Sequence, residues 1–286
     1  MYDDILVPID DTASTASILT HLGEIAHGLD ASVTLLYVAD TARDSVTVVN
    51  NTVVDALERE GEEILDQAVE TLESLGVETT TDVVQGDPAS TIVDYAQRYG
   101  FDLVFMPTRG RDGLSRYVLG SVAEKVVRLS SVPVVTVRMQ EDEQLSFPYE
   151  QILVPTDGSD AATKAAEHAL DLAVALDAGV HILSVVDIAS LGPDVRSILQ
   201  EADDEVTDAV ESLAATARER GITSVETAVE DGNPADGIRS YIDDHDIDLV
   251  VMGTTGRRGV EKILLGSVAE TTVRTAPVPV ITLGSR

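Results

Sequence analysis

Glycines dominate the stretch from Met252 to Glu270, which reads MGTTGRRGVEKILLGSVAE. Gly253 and Gly256 directly follow an apolar run, and Gly266 stands where a helix is predicted to begin. Glycine has no Cβ, so its backbone can approach an anion closely, and a helix beginning there would direct its free N–H groups at the same place. The stretch therefore predicts a strand, a phosphate-binding loop and a helix. A simple glycine turn after the strand is the alternative.

A second copy of this stretch occurs earlier in the chain. Residues 107–124, PTRGRDGLSRYVLGSVAE, agree with residues 253–270 at ten of eighteen positions. Equivalent residues are 147 apart before the second helix of each half, as with Asp10 and Asp157, and 146 apart after it. The chain is therefore an internal duplication, and the difference in length between its halves falls near that helix.

The elements that must position these loops follow a regular α/β order. In the first half, apolar spacing predicts strands over residues 5–9, 33–38, 77–84, 103–106 and 134–137 and helices over 13–29, 53–75, 88–99 and 118–129. In the second half it predicts strands over 152–156, 180–186, 222–229, 249–252 and 278–283 and helices over 160–177, 194–220, 265–275 and from 234. Such crossovers require parallel strands in one sheet. We therefore expect two tandem domains, 1–138 and 151–286, joined by a charged linker without periodicity, residues 139–150.

The composition suits two such domains. A chain of 286 residues can form two domains, and an apolar content of 44% with only 3% aromatic residues is typical of buried parallel strands covered by helices. The low aromatic content and a net charge of −32 argue against nucleic acid as a partner. Charge of this size is tolerated when salt screens it, so the sequence predicts a halophilic protein.

The chain carries no recognisable targeting signal and no cysteine. The lack of cysteine rules out disulfides, thiolate metal sites and cysteine nucleophiles. The first residues, MYDDILVPID, contain no basic segment followed by an apolar one, and no run of 18 residues lacks a charge. We therefore expect a soluble, cytoplasmic protein that does not contact a membrane.

Two common phosphate-binding signatures are missing. No segment reads G-x-x-x-x-G-K-[ST], which argues against a P-loop NTPase, and no G-x-G-x-x-G follows the first strand of either half, which argues against a dinucleotide-binding fold. The predicted phosphate site follows the fourth strand instead. In open parallel sheets, ligands bind beyond the carboxyl ends of the strands where the strand order reverses. Asp157, which follows the first strand of the second half, should therefore face the Gly253 loop across one cleft.

Three features of the second half match the pattern of one known family. They are the spacing G-x-x-G, nine residues, G-[ST]; the segment VPTDGS at 154–159; and the ending GSVAE at 266–270. On these features the chain resembles the universal stress protein family, and both halves match its single-domain pattern. The resemblance implies an α/β fold of two tandem doubly wound domains with five-stranded parallel sheets, Rossmann-like and similar to adenine nucleotide alpha hydrolases. It also implies ATP, ADP or AMP as the ligand, with Mg²⁺.

The resemblance also implies roles for particular residues of the second half. It places Asp157 at the ribose or at a phosphate-bound metal, and the backbone of Pro155, Thr156 and Val185 around the adenine. For Pro155 the alternative is a strand end, and for Val185 it is a core position. Glycine loops and a serine hydroxyl can donate to phosphate oxygens. The further nucleotide-binding positions are Met252, Gly253, Thr255, Gly256, Gly266, Ser267 and Val268.

The first half departs from this pattern. Pro107 stands where Gly253 stands, which removes an N–H donor and fixes φ near −65°. Asp11 replaces Gly158 and adds a negative charge close to the expected phosphates. We therefore expect the nucleotide mainly in the second half. The corresponding first-half positions are Pro8, Ile9, Asp10, Val38, Gly110, Gly120, Ser121 and Val122.

The sequence shows no catalytic constellation. The histidines lack metal-ligand spacing, so they are expected on the surface or on helix faces and no metal site is assigned. No Ser-His-Asp or paired-carboxylate arrangement is present, and no catalytic base can be assigned. The expected function is that of an ATP-binding regulatory protein of the stress response. The alternatives are a nucleotide-independent stress or chaperone-like interaction protein and a slow ATP hydrolase.

The last strand of each half, 134–137 and 280–283, is apolar and would present an exposed edge. Pairing these two strands would reproduce within one chain the homodimer of the resembled family. A homodimer of the whole chain is the other arrangement. The sequence does not identify a protein partner.

Overall fold

The computed structural model describes residues 1–10, 16–40, 54–108, 119–138, 145–187, 196–256 and 265–284. The chain divides into two compact units, Met1–Glu143 and Gln144–Arg286. Within the described residues, each unit contains five strands and four helices that alternate along the chain.

The first unit has the predicted order of elements. They are β1 (Asp4–Ile9), α1 (Ala16–Leu29), β2 (Ser32–Ala39), α2 (Val54–Ser74), β3 (Thr79–Gln85), α3 (Pro88–Tyr99), β4 (Leu103–Thr108), α4 (Ser121–Leu129) and β5 (Val134–Arg138). The strands lie in the order β3-β2-β1-β4-β5, and each neighbouring pair is parallel.

The second unit repeats this arrangement. Its elements are β6 (Gln151–Pro155), α5 (Asp160–Leu176), β7 (Gly179–Val186), α6 (Arg196–Glu219), β8 (Val225–Asp231), α7 (Pro234–Asp244), β9 (Leu249–Gly253), α8 (Ser267–Thr275) and β10 (Val280–Leu283). The strands lie in the order β8-β7-β6-β9-β10, again parallel throughout. The predicted α/β fold with parallel strands is confirmed in both units.

The strand order accounts for helices on both faces of the sheet. In the first unit the chain moves outward from β1 to β3, crosses back to β4 and continues in the opposite direction to β5. Because parallel crossovers share one hand, α1 and α2 belong on one face and α3 and α4 on the other. The helix contacts agree, since α1 packs beside α2 and α3 beside α4. The central strands β1 and β4 are consequently covered on both sides, and Ile5, Leu6 and Val104 have no exposed surface.

The two helices that follow the glycine loops, α4 and α8, begin later than the apolar pattern predicts. The helix expected over 118–129 begins at Ser121, and the helix expected over 265–275 begins at Ser267. In both cases the preceding glycine is extended, with φ −59° and ψ 142° at Gly120 and φ −64° and ψ 144° at Gly266. The glycines therefore end the loop rather than open the helix. The predicted helix starts at residues 13, 53 and 194 lie outside the described residues.

The end of the predicted linker belongs structurally to the second unit. Tyr149 is only 4% exposed. Asp248, just before β9, accepts hydrogen bonds through Oδ2 from the backbone N–H groups of Glu150 and Gln151, both at 2.9 Å. Ser146 Oγ donates to Oδ1 of the same carboxylate at 3.0 Å. Residues 146–150 are thus packed ahead of the domain start expected at 151, while 139–144 lie outside the described residues.

The expectation of surface or helix-face histidines is wrong for one of the five. His181 lies in a strand, β7, and is 4% exposed. His21 does lie on a helix, but on the side that faces the core. Within the described ranges, no group of three or more His, Asp or Glu is arranged to hold a metal ion. Every helix in those ranges is too short or too polar to cross a membrane.

The burial of His21 predicts a loss of stability in acid. Its pKa is lowered by burial to about 4, whereas histidine in an unfolded chain titrates near 6.5. As the pH falls between these values, the unfolded chain takes up the proton first, so the folded state loses stability. We expect His21→Gln to reduce the loss of unfolding free energy between pH 7 and pH 4 by about 3 kcal/mol, measured by urea unfolding at constant salt.

His27 offers a matched control because it lies on the same helix and is exposed. His27→Gln should leave the pH dependence of unfolding unchanged. The explanation fails if His21→Gln unfolds with the same pH dependence as the unaltered chain.

Candidate functional site

A tight loop carries Asp157 at the carboxyl end of β6. The Thr156 N–H donates to the carbonyl of Leu183 in β7 at 2.8 Å, which continues the sheet bonding one residue past the strand. Thr156 Oγ1 then accepts from the Gly158 N–H at 3.2 Å, and Asp157 Oδ1 accepts from the Ser159 N–H at 3.0 Å. Gly158 has φ +71°, a left-handed conformation that favours glycine. These bonds shape the loop that carries Asp157 beyond the carboxyl end of β6.

Gly253 is required by close packing between β9 and α5. A Cβ placed on Gly253 would lie 2.9 Å from both the carbonyl carbon and the carbonyl oxygen of Ala161. Ala161 stands in the first turn of α5, directly after the Asp157 loop. The glycine therefore lets the end of β9 approach the start of α5, which draws the two loops of the site together.

Gly256 brings the second loop against the carboxylate. A Cβ on this glycine would lie 2.6 Å from Asp157 Oδ2. Gly256 is exposed and Asp157 is partly buried, so the contact lies at the surface of the unit. The structure thus places the loop after β9 and the loop after β6 side by side, at the carboxyl ends of adjacent strands.

The base of the glycine loop is closed by Thr254. Its N–H donates to the carbonyl of Leu283 in β10 at 3.0 Å, and its carbonyl accepts from the Gly266 N–H at 2.8 Å. Gly266 is the N-cap of α8 and has no side chain with which to cap the first turn. The N–H groups that begin α8, with the exposed Ser267 and the half-buried Val268, therefore start beside the loop. Residues 257–264 lie outside the described residues.

The other predicted binding residues of the second unit occupy mixed environments. Pro155 ends β6 and is buried, and Thr255 is partly buried in the glycine loop. Met252 is 5% exposed and contributes to the core. Val185 lies near the end of β7 and is partly buried. A Cβ on Gly237, in the first turn of α7, would lie 3.0 Å from its Cγ2, so α7 packs closely on this valine.

Comparison with known proteins identifies the family of this chain. A model of the universal stress protein family matches residues 1–138 and again residues 148–283. The chain belongs to the universal stress protein family. Because the two matches follow one another, it is a tandem member with two universal stress protein domains.

Individual relatives cover one or both domains. A universal stress protein of Methanocaldococcus jannaschii is 38% identical over 138 residues, 46% of this chain and 81% of that protein. One of Mycolicibacterium smegmatis is 28% identical over 296 residues, 99% of this chain and 97% of its own. The crystal structure of a universal stress protein from Archaeoglobus fulgidus has a TM-score of 0.78 at 23% identity and covers 99% of this chain and 98% of its own. This structural similarity supports the tandem fold.

The structure describes only part of the predicted site in the first universal stress protein domain. Pro107 is the fifth residue of β4 and pairs in register with Val137 of β5. Gly110 and Asp11 lie outside the described residues. Among the other predicted positions, Pro8 and Ile9 are buried at the end of β1, Asp10 and Ser121 are exposed, and Val38, Gly120 and Val122 are partly buried.

The sequence analysis did not identify two residues that shape the candidate site of the second domain. Thr254 lies between the recognised glycines, and only its backbone bonds show that it closes the loop. Ser159 Oγ accepts from the Ala162 N–H at 3.2 Å and caps α5. A serine just before a predicted helix is a known start signal, so the role of Ser159 was accessible from the sequence. The role of Thr254 was not.

The close packing at Gly253 predicts different costs for two glycine substitutions. Gly253→Ala would place its methyl group against the backbone of Ala161, which can move only with α5. We expect a loss of about 1–3 kcal/mol in unfolding free energy, measured by urea unfolding. Gly256→Ala is the matched control, because its methyl group meets only the Asp157 carboxylate, a side chain that can move. Equal losses for the two variants would contradict this account of Gly253.

Proposed function

We propose that the second domain binds an adenine nucleotide, with ATP and Mg²⁺ as the favoured ligand, and that the protein regulates the stress response through this binding. The observation that carries the proposal is the position of Gly256, whose backbone lies against the Asp157 carboxylate and beside Gly266 at the start of α8. These groups meet beyond β6 and β9, where the strand order reverses. Ligands of open parallel sheets bind at this point.

The start of α8 supplies groups that suit a phosphate. The first N–H groups of a helix lack partners within the helix, and Gly266 offers no side-chain oxygen to occupy them. Together with the exposed Ser267 hydroxyl, they can donate to phosphate oxygens. Glu270 also lies in this first turn, but its carboxylate is 3.8 Å from Arg274 Nη1, one turn further along α8. This ion pair partly offsets its negative charge.

The negative charge of Asp157 limits which part of a bound nucleotide can contact its carboxylate. A carboxylate repels a phosphate at short range unless a cation stands between them. Hydroxyl groups of a ribose can instead donate to it directly. Mg²⁺ in proteins is held by one or two carboxylates together with substrate phosphates, so the residues present fit either arrangement. By resemblance to the family, Pro155, Thr156 and Val185 would surround the adenine.

The first domain is proposed to bind nucleotide more weakly. Pro107 has no N–H group, and its ring occupies the position at which Gly253 approaches its neighbouring helix so closely. The nucleotide is therefore assigned mainly to the second domain.

Titration of the purified protein with Mg²⁺-ATP in high salt tests this function. We expect Asp157→Asn to weaken binding by about tenfold or more, because it removes an interaction with a charged group. Ser267→Ala removes one neutral donor and should cost about two- to tenfold. Asp10→Asn and Ser121→Ala change the equivalent residues of the first domain and are the matched controls. Isothermal titration calorimetry gives the dissociation constants.

The outcome also separates the alternative functions. Failure of the folded protein to bind ATP, ADP or AMP would overturn the proposal and favour a nucleotide-independent interaction protein. Steady release of phosphate from ATP, abolished by Asp157→Ala, would instead support a slow hydrolase.

We also propose that the protein is adapted to high salt. Its net charge of −32 produces self-repulsion that weakens as the screening length falls from about 10 Å at 0.1 M salt to about 3 Å at 1 M. The midpoint of thermal unfolding should therefore rise between 0.1 M and 2 M KCl, measured by circular dichroism. A midpoint that stays constant or falls would contradict this proposal.

A further inference from the structure

A buried polar cluster joins α7 to the sheet of the second unit, away from the candidate nucleotide site. Its centre is His181, whose Nδ1 lies 3.1 Å from the Tyr241 hydroxyl and whose Nε2 lies 3.1 Å from Gln151 Oε1. His181 and Tyr241 are 4% and 3% exposed. Gln151 is the first residue of β6, so the cluster lies toward the amino ends of the strands, whereas the Asp157 loop follows their carboxyl ends.

The hydrogen bonds of the cluster suit a neutral His181. Gln151 Oε1 can only accept, so Nε2 carries the proton, and Nδ1 accepts from the Tyr241 hydroxyl. A second proton on Nδ1 would remove this acceptor and place a positive charge in a buried position. The Tyr241 hydroxyl would then have to turn and become the acceptor. Protonation therefore removes the present hydrogen bond between α7 and β7, and only a reversed one, from Nδ1 to the phenol oxygen, could replace it.

A second histidine extends the cluster at the end of α7. His245 stacks on Tyr241, with ring centroids 3.8 Å apart and planes 8° from parallel, and its Nδ1 donates to the Tyr241 carbonyl at 3.1 Å. The His245 and His181 rings are 5.8 Å apart. A positive charge on His181 would therefore lie close to a second imidazole ring in the same cluster.

The charged groups of β8 oppose this effect only in part. Glu226 Oε2 lies 3.6 Å from His181 Nδ1, but its side chain is 58% exposed. Burial lowers the pKa of His181, Glu226 acts in the opposite direction, and His245 lowers it further. Burial raises the pKa of Tyr241, and Glu226 and Glu230 raise it further, so the phenol stays neutral in the range in which histidine titrates.

The equivalent positions of the first unit carry no histidine. Thr34 stands in place of His181, and its Oγ1 lies 2.9 Å from Thr80 Oγ1 of the neighbouring strand. Tyr99 stands in place of His245, with its ring centroid 4.5 Å from that of Tyr95. In this unit α3 is tied to the sheet by the Tyr95 hydroxyl, which donates to Asp82 Oδ2 of β3 at 2.9 Å, and not by a histidine. At these two equivalent positions the second unit carries histidines and the first unit does not.

We propose that His181, Tyr241 and His245 form an acid-sensitive latch, which holds the C-terminal end of α7 on the sheet of the second unit and releases it when His181 takes up a proton. The latch is expected to weaken as the pH falls, because the folded state favours neutral His181. Histidine in an unfolded chain titrates near pH 6.5, so the stability that the latch supplies is complete above this pH and is lost as the pH falls below it.

Native-state hydrogen exchange, with rates corrected for the intrinsic effect of pH, tests the latch within one molecule. We expect the protection of α7 amides to fall between pH 7.5 and pH 5.5, while that of α3 amides changes much less. The variant His181→Thr/His245→Tyr takes both residues from the equivalent positions of the first unit and should abolish the selective loss in α7. His27→Gln removes an exposed histidine and should leave the loss unchanged.

Two results would overturn the latch. One is α7 protection in the unaltered chain that does not fall in acid, and the other is an equal fall in the double variant. If the double variant does not fold, NMR titration of the histidine rings in the unaltered chain decides the question. The His181 signal must then titrate below the value near 6.5 that is usual for histidine, and a His181 ring that titrates at or above that value contradicts the proposal.

Discussion

Parallel strands joined by crossovers of one hand impose the constraint on which the rest of this structure depends. The chain can place β9 beside β6 only by crossing to the other face of the sheet after β8, so the loops that follow these two strands lie side by side at the carboxyl ends of the strands. Asp157 and Gly256 meet there although nearly one hundred residues separate them in the sequence. The close approach of Gly253 to Ala161 holds the two loops together. The topology therefore brings the two loops of the candidate site together, and the glycines let their backbones pack closely.

The internal duplication places different polar residues on two copies of the same fold. Both units repeat the same strands, the same strand order and the same extended glycine before their last helix. They differ where a side chain determines charge or backbone bonding. Pro107 lacks the N–H group that Gly253 has, and Thr34 replaces the buried His181. Because the scaffold is held mainly by apolar burial along the strands, such polar positions can change in one unit without altering the fold.

Much of the fold was predictable because its signals are local. Alternation of apolar runs and helical spacing located every strand and helix in the described residues to within a few positions, and the glycine spacing identified the loop after β9. The meeting of Asp157 with that loop also followed from the general position of ligand sites in parallel sheets. The binding roles of these residues, and the pairing of the terminal strands 134–137 and 280–283, stay predictions.

The sequence by itself determined the duplication, the order of elements, the family and the inequality of the two glycine loops, since each depends on residue types and their spacing. Only the tertiary structure decided which backbone groups close the site, as at Thr254, and which polar side chains are buried, as at His181 and at the Asp248 carboxylate that binds the end of the linker. The physical reason is that burial and backbone hydrogen bonding depend on neighbours brought from distant parts of the chain. A local pattern does not contain these neighbours.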